Sequence, residues 1–544
     1  MRKTAIFFFT GFSLLWYSSG LKAQPRIIVA IDTAYAHTGK IEFPLSGFGD
    51  EITDFYGIFP DTGNVNTVTI CGKVGTANAN VKKIGLVQLK PNGTFNPSFG
   101  NAGKTILNWG GSDYPNSMFV TSDSNSFIFL AGASGQSGGD MIPAIFKFRK
   151  KGIPDSGFGG DGHVALRYDS GSGGEFTMVT SVSTKFLAAG RAVANSPKSH
   201  DGFCAMRFLP DGRLDSSYGI EGKAIIPDTN FFLKLHSVFS FLTTNASLTF
   251  IGVLSDNIDS SHSTIVLGRI NPKGFPDSSF GKNGLLTTGN TFSSLSGISI
   301  VAGIQPDYKI VAALPPAGIA GLMPVRLVRF TSEGIIDSTY GTNGFTNVTF
   351  TNGESKARGI NIAKNAKTVV AGSAVGALEQ CATSRNNLDG TPDRTLNQIG
   401  TAVIDVDSGA YSNYLIRFVG IGNKRYIGVG ASIHNGLSQF LVAHFKDDTL
   451  SKGGVAKSYE STDLLQIYPN PATSFFMIVA GQQITGDIKI IDALGREVAL
   501  IATRQYSSDT KTYSFDVSQL RNGIYDCIAQ YGEEKIVRKF LVSH

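Results

Sequence analysis

Leu209-Pro210-Asp211-Gly212-Arg213-Leu214-Asp215-Ser216-Ser217-Tyr218-Gly219-Ile220-Glu221-Gly222 places two turns back to back. Pro presets φ and Gly accepts φ > 0, so Pro210-Asp211-Gly212 reads as a tight turn. The second half has the form D-x-S/T-F/Y-G-x-x-G. It recurs with its aromatic position at Tyr35, Phe99, Phe158, Tyr218, Phe280 and Tyr340 and, degenerate, at Leu396. The intervals are 64, 59, 60, 62, 60 and 56 residues. A repeat of this length built from strand and turn signals predicts a β-propeller.

Working outward, each unit carries an apolar run that ends in small residues. Examples are Ile70-Cys71-Gly72, Leu130-Ala131-Gly132, Val311-Ala312-Ala313 and Gly428-Val429-Gly430. Small residues in one column are expected where strands crowd near a propeller axis. An alternating strand follows, such as Phe203 to Phe208 or Val325 to Phe330, and then the two turns. A strand like Gly222 to Ile226 and a stretch like Glu175 to Val182 complete four strands per unit.

The last unit runs out at Lys446-Asp447-Asp448 without an aromatic turn. The missing piece, Asp32-Thr33-Ala34-Tyr35 with Gly39-Lys40-Ile41, stands at the N-terminus. Residues near Ile41 to Pro44 are therefore expected to pair with Phe440 to Phe445, which would cover an open sheet edge. The fold class predicted is all-β. A seven-bladed β-propeller over residues 24–449, closed by the N-terminal strand, precedes a linker at 450–463 and a small β-sandwich at 464–544. The units resemble the delta-60 repeat family over roughly Ile31 to Phe445. That resemblance is clearest from Asn96 to Gly344 and weakest at Leu396-Asn397 and Tyr35-Ala36. It implies a fold and no reaction.

Two columns of polar residues accompany the turns. The carboxylates are Asp32, Asp155, Asp215, Asp277, Asp337 and Asp393, with Asn96 in the remaining unit. Asp and Asn both cap the N–H groups of such a turn, and one oxygen per turn is far from the 6–8 that Ca²⁺ takes. Five residues before each tight-turn glycine stand Gln88, Lys147, Arg207, Arg269, Arg329 and Arg385, with His444 in the last unit. The unit with neutral Asn96 is also the one with neutral Gln88, which predicts that each cation pairs with its own turn carboxylate. The repeated aromatic is expected to anchor one blade on the next. A row of sugar-stacking platforms is the rival reading, and Trp109 as the one Trp after the leader speaks against it.

Residues 1–23 read as a secretory signal: Arg2 and Lys3, an apolar run from Ala5 to Trp16, and cleavage between Ala23 and Gln24. No later stretch is long and apolar enough for a transmembrane segment. Losing Met1 to Ala23 removes Arg2, Lys3 and Lys22 and no acid, so the formal net charge falls from +6 to +3. No basic block remains, and nucleic acid is not an expected partner. Cys71, Cys204, Cys381 and Cys527 are too sparse for a disulfide scaffold, and Cys71 reads as a small buried strand residue. A chain this long buries about 75% of its unfolded surface without such staples.

No catalytic residue, cofactor site or metal site is predicted, because no nucleophile elbow, phosphate loop or metal-ligand spacing is present. The variable loops, Ser134 to Ile142, Ala192 to Gly202, Leu254 to Thr264 and Leu314 to Met323, share one face with the blade crossings. That face is the expected place for an unknown ligand. The leading reading is a non-enzymatic secreted or cell-surface protein that binds a ligand or partner. The alternatives are a glycan-active hydrolase or lyase with a dispersed site in the channel, and a structural surface component.

After the linker the chain carries Ile467-Tyr468-Pro469-Asn470-Pro471-Ala472 and Ile491-Asp492-Ala493-Leu494-Gly495-Arg496. Leu520-Arg521-Asn522-Gly523-Ile524-Tyr525 and Lys539-Phe540 complete the set. These motifs resemble the type A C-terminal sorting domain of the type IX secretion system. The resemblance implies a Bacteroidota-type route through the periplasm, the outer-membrane type IX machinery as partner, and release or attachment to surface lipopolysaccharide.

Overall fold

The computed structural model describes residues 27–449 except 58–66, 79–80, 122–126, 136–138, 171, 195–201, 228–232, 244–245, 257–261, 294–299, 315–322, 351–352, 364, 398, 407–410 and 423–424. Further on it describes 465–468, 472, 475–480, 488–492, 496–498, 512–531 and 534–542. The leader with Ala23 and Gln24, the linker, and Pro469, Asn470, Pro471 and Gly495 lie outside the described residues. The chain divides into two compact units, one ending at Leu450 and the other starting at Ser451.

No helix occurs among the described residues. Short apolar runs, buried along most of their length in the inner strands, give the first unit its strands, and the turns above join them into antiparallel meanders. The first sheet runs Asp50–Gly57, Val68–Val74, Lys83–Leu89 and Lys104–Leu107 in that order. Five more four-stranded sheets follow, over residues 112–165, 172–227, 233–293, 301–348 and 354–404. Such sheets are consistent with propeller blades.

The last sheet of this unit takes strands from both ends of the unit. Ser412–Gly422, Arg425–His434 and Leu437–Thr449 come from the C-terminal side. Lys40–Phe43 pairs with Phe440 to Ala443, and Ile27–Ile31 pairs with Phe445 to Thr449. One long strand is thus covered by two short ones. Cores lie between successive sheets. Ile52, Val68 and Ile70 of the first sheet pack with Ile427, Val429 and Phe440 of the last. On its other side the last sheet packs Phe418, Tyr426 and Phe445 on Val369, Ala371 and Leu396.

The small-residue column has a different cause from the axial crowding expected. In five sheets the first strand bulges opposite the glycine of the second strand: at Ile52/Asp54, Pro115/Ser117, Phe176/Met178, Ala357/Gly359 and Leu415/Arg417. The bulge folds a carbonyl over the glycine Cα. A Cβ on Gly132 would stand 1.9 Å from the Tyr114 oxygen, and one on Gly372 1.8 Å from that of Lys356. The sheet at 301–348 has Ala313 in this column, and its first two strands pair without a register shift. In these five sheets glycine is there because a backbone crosses it. In the sheet at 233–293 the bulge falls at Leu235/Ser237, opposite Leu254 and Val253, and Gly252 pairs with Val238 in regular register.

The second unit holds two antiparallel sheets. One is Leu465–Tyr468, Phe475–Ala480 and Thr512–Asp516. The other orders Glu497–Val498, Lys489–Asp492, Gly523–Tyr531 and Glu534–Val542. Ile490, Phe515, Val517, Tyr525, Cys527 and Phe540 share one core.

Candidate functional site

The turn face is built from the repeated aromatic. Tyr35, Phe99, Phe158, Tyr218, Phe280 and Tyr340 are all buried, as an inter-sheet anchor requires. Each ring lies on the tight-turn glycine of the next sheet. A Cβ on Gly152 would stand 2.5 Å from Cζ of Phe99, and one on Gly334 2.8 Å from Cζ of Phe280. Tyr35 meets Gly93 of the first sheet in the same way, at 3.1 Å. These glycines have φ between 72° and 90°, so both conformation and space demand glycine. The last sheet has no tight turn, so Leu396, in the sheet before it, has no glycine to receive a ring. The degeneracy seen in the sequence falls at that joint.

Most cations pair with their own turn carboxylate. Lys147 lies 2.9 Å from Asp155, Arg207 2.6 Å from Asp215, Arg329 2.9 Å from Asp337 and Arg385 2.5 Å from Asp393. Gln88 accepts a 2.6 Å hydrogen bond from Asn96, the neutral version of the pair. A second cation that the sequence reading missed enters from the start of the second strand: Lys185 on Asp215, Lys309 on Asp337, Lys367 on Asp393 and Arg425 on Asp32. Burial raises the Asp337 carboxyl, but hydrogen bonds from Thr339 and Lys309 and the Arg329 charge outweigh it and hold it at about 2. Asp215 and Asp393 are lowered in the same way. These carboxylates are saturated and serve the turns.

Two units depart from the expected pairing. His444 makes no ion pair with Asp32, and Arg425 replaces it. Arg269 makes no ion pair with Asp277; its Nη2 donates instead to the carbonyl of Ser332 in the next sheet.

On the opposite face, among the variable loops, a cavity of about 270 Å³ is lined by Trp109, Ser134, Asp140, Ile142 and Arg167. Trp109 follows the fourth strand of the first sheet, Asp140 lies in a variable loop, and Arg167 lies in a crossing. Alternation of the connections brings all three to the loop face. The half-buried indole stacks on His163 with centroids 5.0 Å apart and lies 5.2 Å from Phe146. Arg167 reaches Asp140 at 3.4 Å and donates to the Ser172 carbonyl at 2.6 Å. An indole wall beside an exposed ion pair can stack a polar ring and hydrogen-bond its hydroxyls.

Carboxylates on first and third strands are also engaged. Glu379 accepts from Lys356 at 2.9 Å, Arg358 at 2.8 Å and Ser373 at 3.0 Å. Burial raises its carboxyl, yet these cations bring it below its ordinary value. Glu175 holds Asn116 at 2.8 Å and Arg191 at 2.9 Å. Asp54 faces Arg417 at 3.7 Å and accepts N–H groups of Met118 and Phe55; burial still raises it. No group of three or more potential metal ligands occurs among the described residues.

In the C-terminal unit Asp492 accepts from the N–H of Arg496 at 3.0 Å and from its Nε at 2.9 Å, tying the end of Lys489–Asp492 to the residue before Glu497–Val498. Gly523 opens a central strand. Tyr525 on that strand donates to the Arg521 carbonyl at 2.9 Å and stacks on Phe540. Lys539 pairs opposite Asp526 on the neighbouring strand.

Residues 466–543 match the family described as a secretion system C-terminal sorting domain. That module marks a protein exported by the type IX secretion system to the cell surface or the medium. No curated protein matches the chain. Among solved structures, a protein of unknown function from Dyadobacter fermentans aligns with a TM-score of 0.36 at 10% identity, over 75% of this chain and 98% of that one. A fungal AA5-family alcohol oxidase in complex with copper aligns at 0.35 and 10%, over 93% and 98%. The GH93 α-L-arabinofuranosidase of Fusarium graminearum with arabinobiose aligns at 0.35 and 10%, over 78% and 97%.

Proposed function

We propose that residues 24–449 form a seven-bladed β-propeller closed by the N-terminal strand, which residues 464–544 carry out of the cell. Outside, it acts as a binding protein, and the ligand is a glycan ring held at the loop-face pocket. The pairing of Lys40–Phe43 with the last long strand supports the closure, as does the seat of Tyr35 on Gly93. The observation that carries the binding role is the cavity bounded by Trp109, Asp140 and Arg167. Four turn carboxylates, Asp155, Asp215, Asp337 and Asp393, are each held by cations, which suits a scaffold better than proton transfer. After export the protein is released or attached to surface lipopolysaccharide.

The indole is its own reporter, since Trp109 is the one Trp left once the leader is removed. Titration of the secreted protein with a polysaccharide panel should shift Trp109 emission, and Asp140→Asn should weaken that response at least fivefold without altering the melting temperature. Emission unmoved by every polysaccharide would refute the site. Cleavage of any of them by the wild-type protein would replace the binding role with the hydrolase or lyase reading. Deleting residues 466–543 should leave the protein inside the outer membrane.

A further inference from the structure

Arg269 is set apart from its sister cations by one missing ion pair and two substitutions that coincide. Its turn carboxylate, Asp277, is not ion-paired with it; Asp277 accepts instead from the N–H and hydroxyl of Ser279, at 3.0 and 2.6 Å. The position that supplies a second cation in other sheets, as Lys185, Lys309, Lys367 or Arg425, is Ser247 here. The residue paired across from Arg269 is Thr249, where most sheets place Phe129, Leu187, Val311, Val369 or Ile427. The first sheet also has a threonine there, Thr69, but Gln88 donates to it at 3.0 Å.

The shorter side chain at Ser247 leaves a cavity of about 200 Å³ lined by Thr243, Ser247, Thr249, Arg269, Tyr308 and Ser332. Arg269 lines this cavity, and its Nε is buried and has no hydrogen-bond partner. Thr249 is only 2% exposed, and its Oγ1 likewise has none. Asp277 and Glu333 are close enough to act on the guanidinium charge, but neither forms an ion pair with it. One face of the guanidinium covers the Phe280 ring at 4.2 Å, and Nη2 is held by Ser332. The N–H left over on the Nε edge and the Thr249 hydroxyl are unsatisfied donors beside a desolvated cation, an arrangement that costs stability unless an acceptor fills it.

We infer that this cavity is a binding site for a small carboxylate, with Arg269 as its charge partner and Thr249 as its second donor. The site lies on the turn face, opposite the Trp109 pocket, and does not depend on the glycan-binding reading. It is also distinct from the remaining turn carboxylates, because in those sheets a protein carboxylate already occupies the cation.

Isothermal titration of the purified protein with sodium acetate and with sodium glucuronate tests this, with sodium chloride at equal ionic strength as reference. Millimolar binding of at least one carboxylate is expected. A short acid as the natural ligand predicts that acetate binds as well as glucuronate, and an acidic sugar predicts glucuronate at least fivefold tighter. Ser247→Lys restores the residue type of the sister sheets, should keep the melting temperature, and should abolish binding. Thr249→Val should weaken it several-fold. Heats no larger than those of chloride in the wild type would overturn the proposal, as would binding that survives in the Ser247→Lys protein.

Discussion

The imidazole of His444 lies flat on the ring of Tyr35, with centroids 3.6 Å apart and planes within 2°. The two residues are more than four hundred positions apart and belong to opposite ends of the first unit. Backbone bonds flank the stack: Asp32 N–H donates to the His444 carbonyl and His444 N–H to that of Gly39, both at 2.8 Å. His444 occupies the column that holds Lys or Arg in five other units, yet it is neutral. Burial lowers its pKa most, Asp32 raises it, Arg425 lowers it, and the outcome is about 4.

The stack therefore makes stability depend on pH. Unfolded His444 takes up a proton near pH 6.5, whereas the folded chain resists until about 4. Between these values the unfolded state binds more protons, so stability is full above about 6.5 and falls as the pH is lowered through 4. The loss attributable to this residue is on the order of 3 kcal/mol. Urea midpoints of wild type and His444→Gln at pH 7 and pH 4.5 should show a shallower fall in the variant. Equal falls would mean that the imidazole is not the group responsible.

Ring anchors give an opposed pair of expectations. Phe280 is 2% exposed and covers Gly334 on the next sheet, so Phe280→Ala should destabilise by about 3–5 kcal/mol. Tyr218 fills the same place, but its hydroxyl is buried with no partner. Tyr218→Phe removes that group and should raise stability by about 1 kcal/mol. A melting temperature that drops in Tyr218→Phe would reveal a hydrogen bond the hydroxyl makes in solution.

Leu396 marks the joint without a receiving glycine, and a cavity of about 170 Å³ opens there between Val369, Phe418, Tyr426 and Arg385. Leu396→Phe adds volume where volume is missing and should stabilise by about 0.5–2 kcal/mol. Calorimetry showing a loss of stability would mean that the cavity cannot accept a ring in any rotamer.

Much of this was legible because repetition writes each contact several times. The aromatic column, the cation column and the split last sheet are all carried by residues within one sixty-residue period or by its interruption at the termini. What was not legible depends on a neighbour. Leu396 looks like decay until the next sheet is seen to lack its turn. The Gly132 and Gly372 column was assigned to crowding at an axis, because a bulge on the adjacent strand leaves no residue-type signature of its own. The Trp109 pocket draws on residues 109, 140 and 167, and a lone Trp gave no pattern. Its signal was positional: Trp109 sits in a crossing, and crossings share the face of the variable loops.

The bulge account makes the sharpest distinction between two small residues in one column. Gly372→Ala would push a methyl to within 1.8 Å of the Lys356 oxygen, a backbone atom that cannot rotate away. Flattening the bulge would flip the register at Ala357/Gly359, so the cost should exceed about 3 kcal/mol. Ala313 faces an unbulged strand and is 3% exposed. Ala313→Gly loses only a methyl contact and backbone restriction, about 1 kcal/mol. If axial crowding set the column instead, Gly372→Ala would be mild and Ala313→Gly neutral or stabilising. Paired denaturation curves of the two variants decide between these, and a Gly372→Ala protein as stable as wild type would remove the bulge as the reason for glycine.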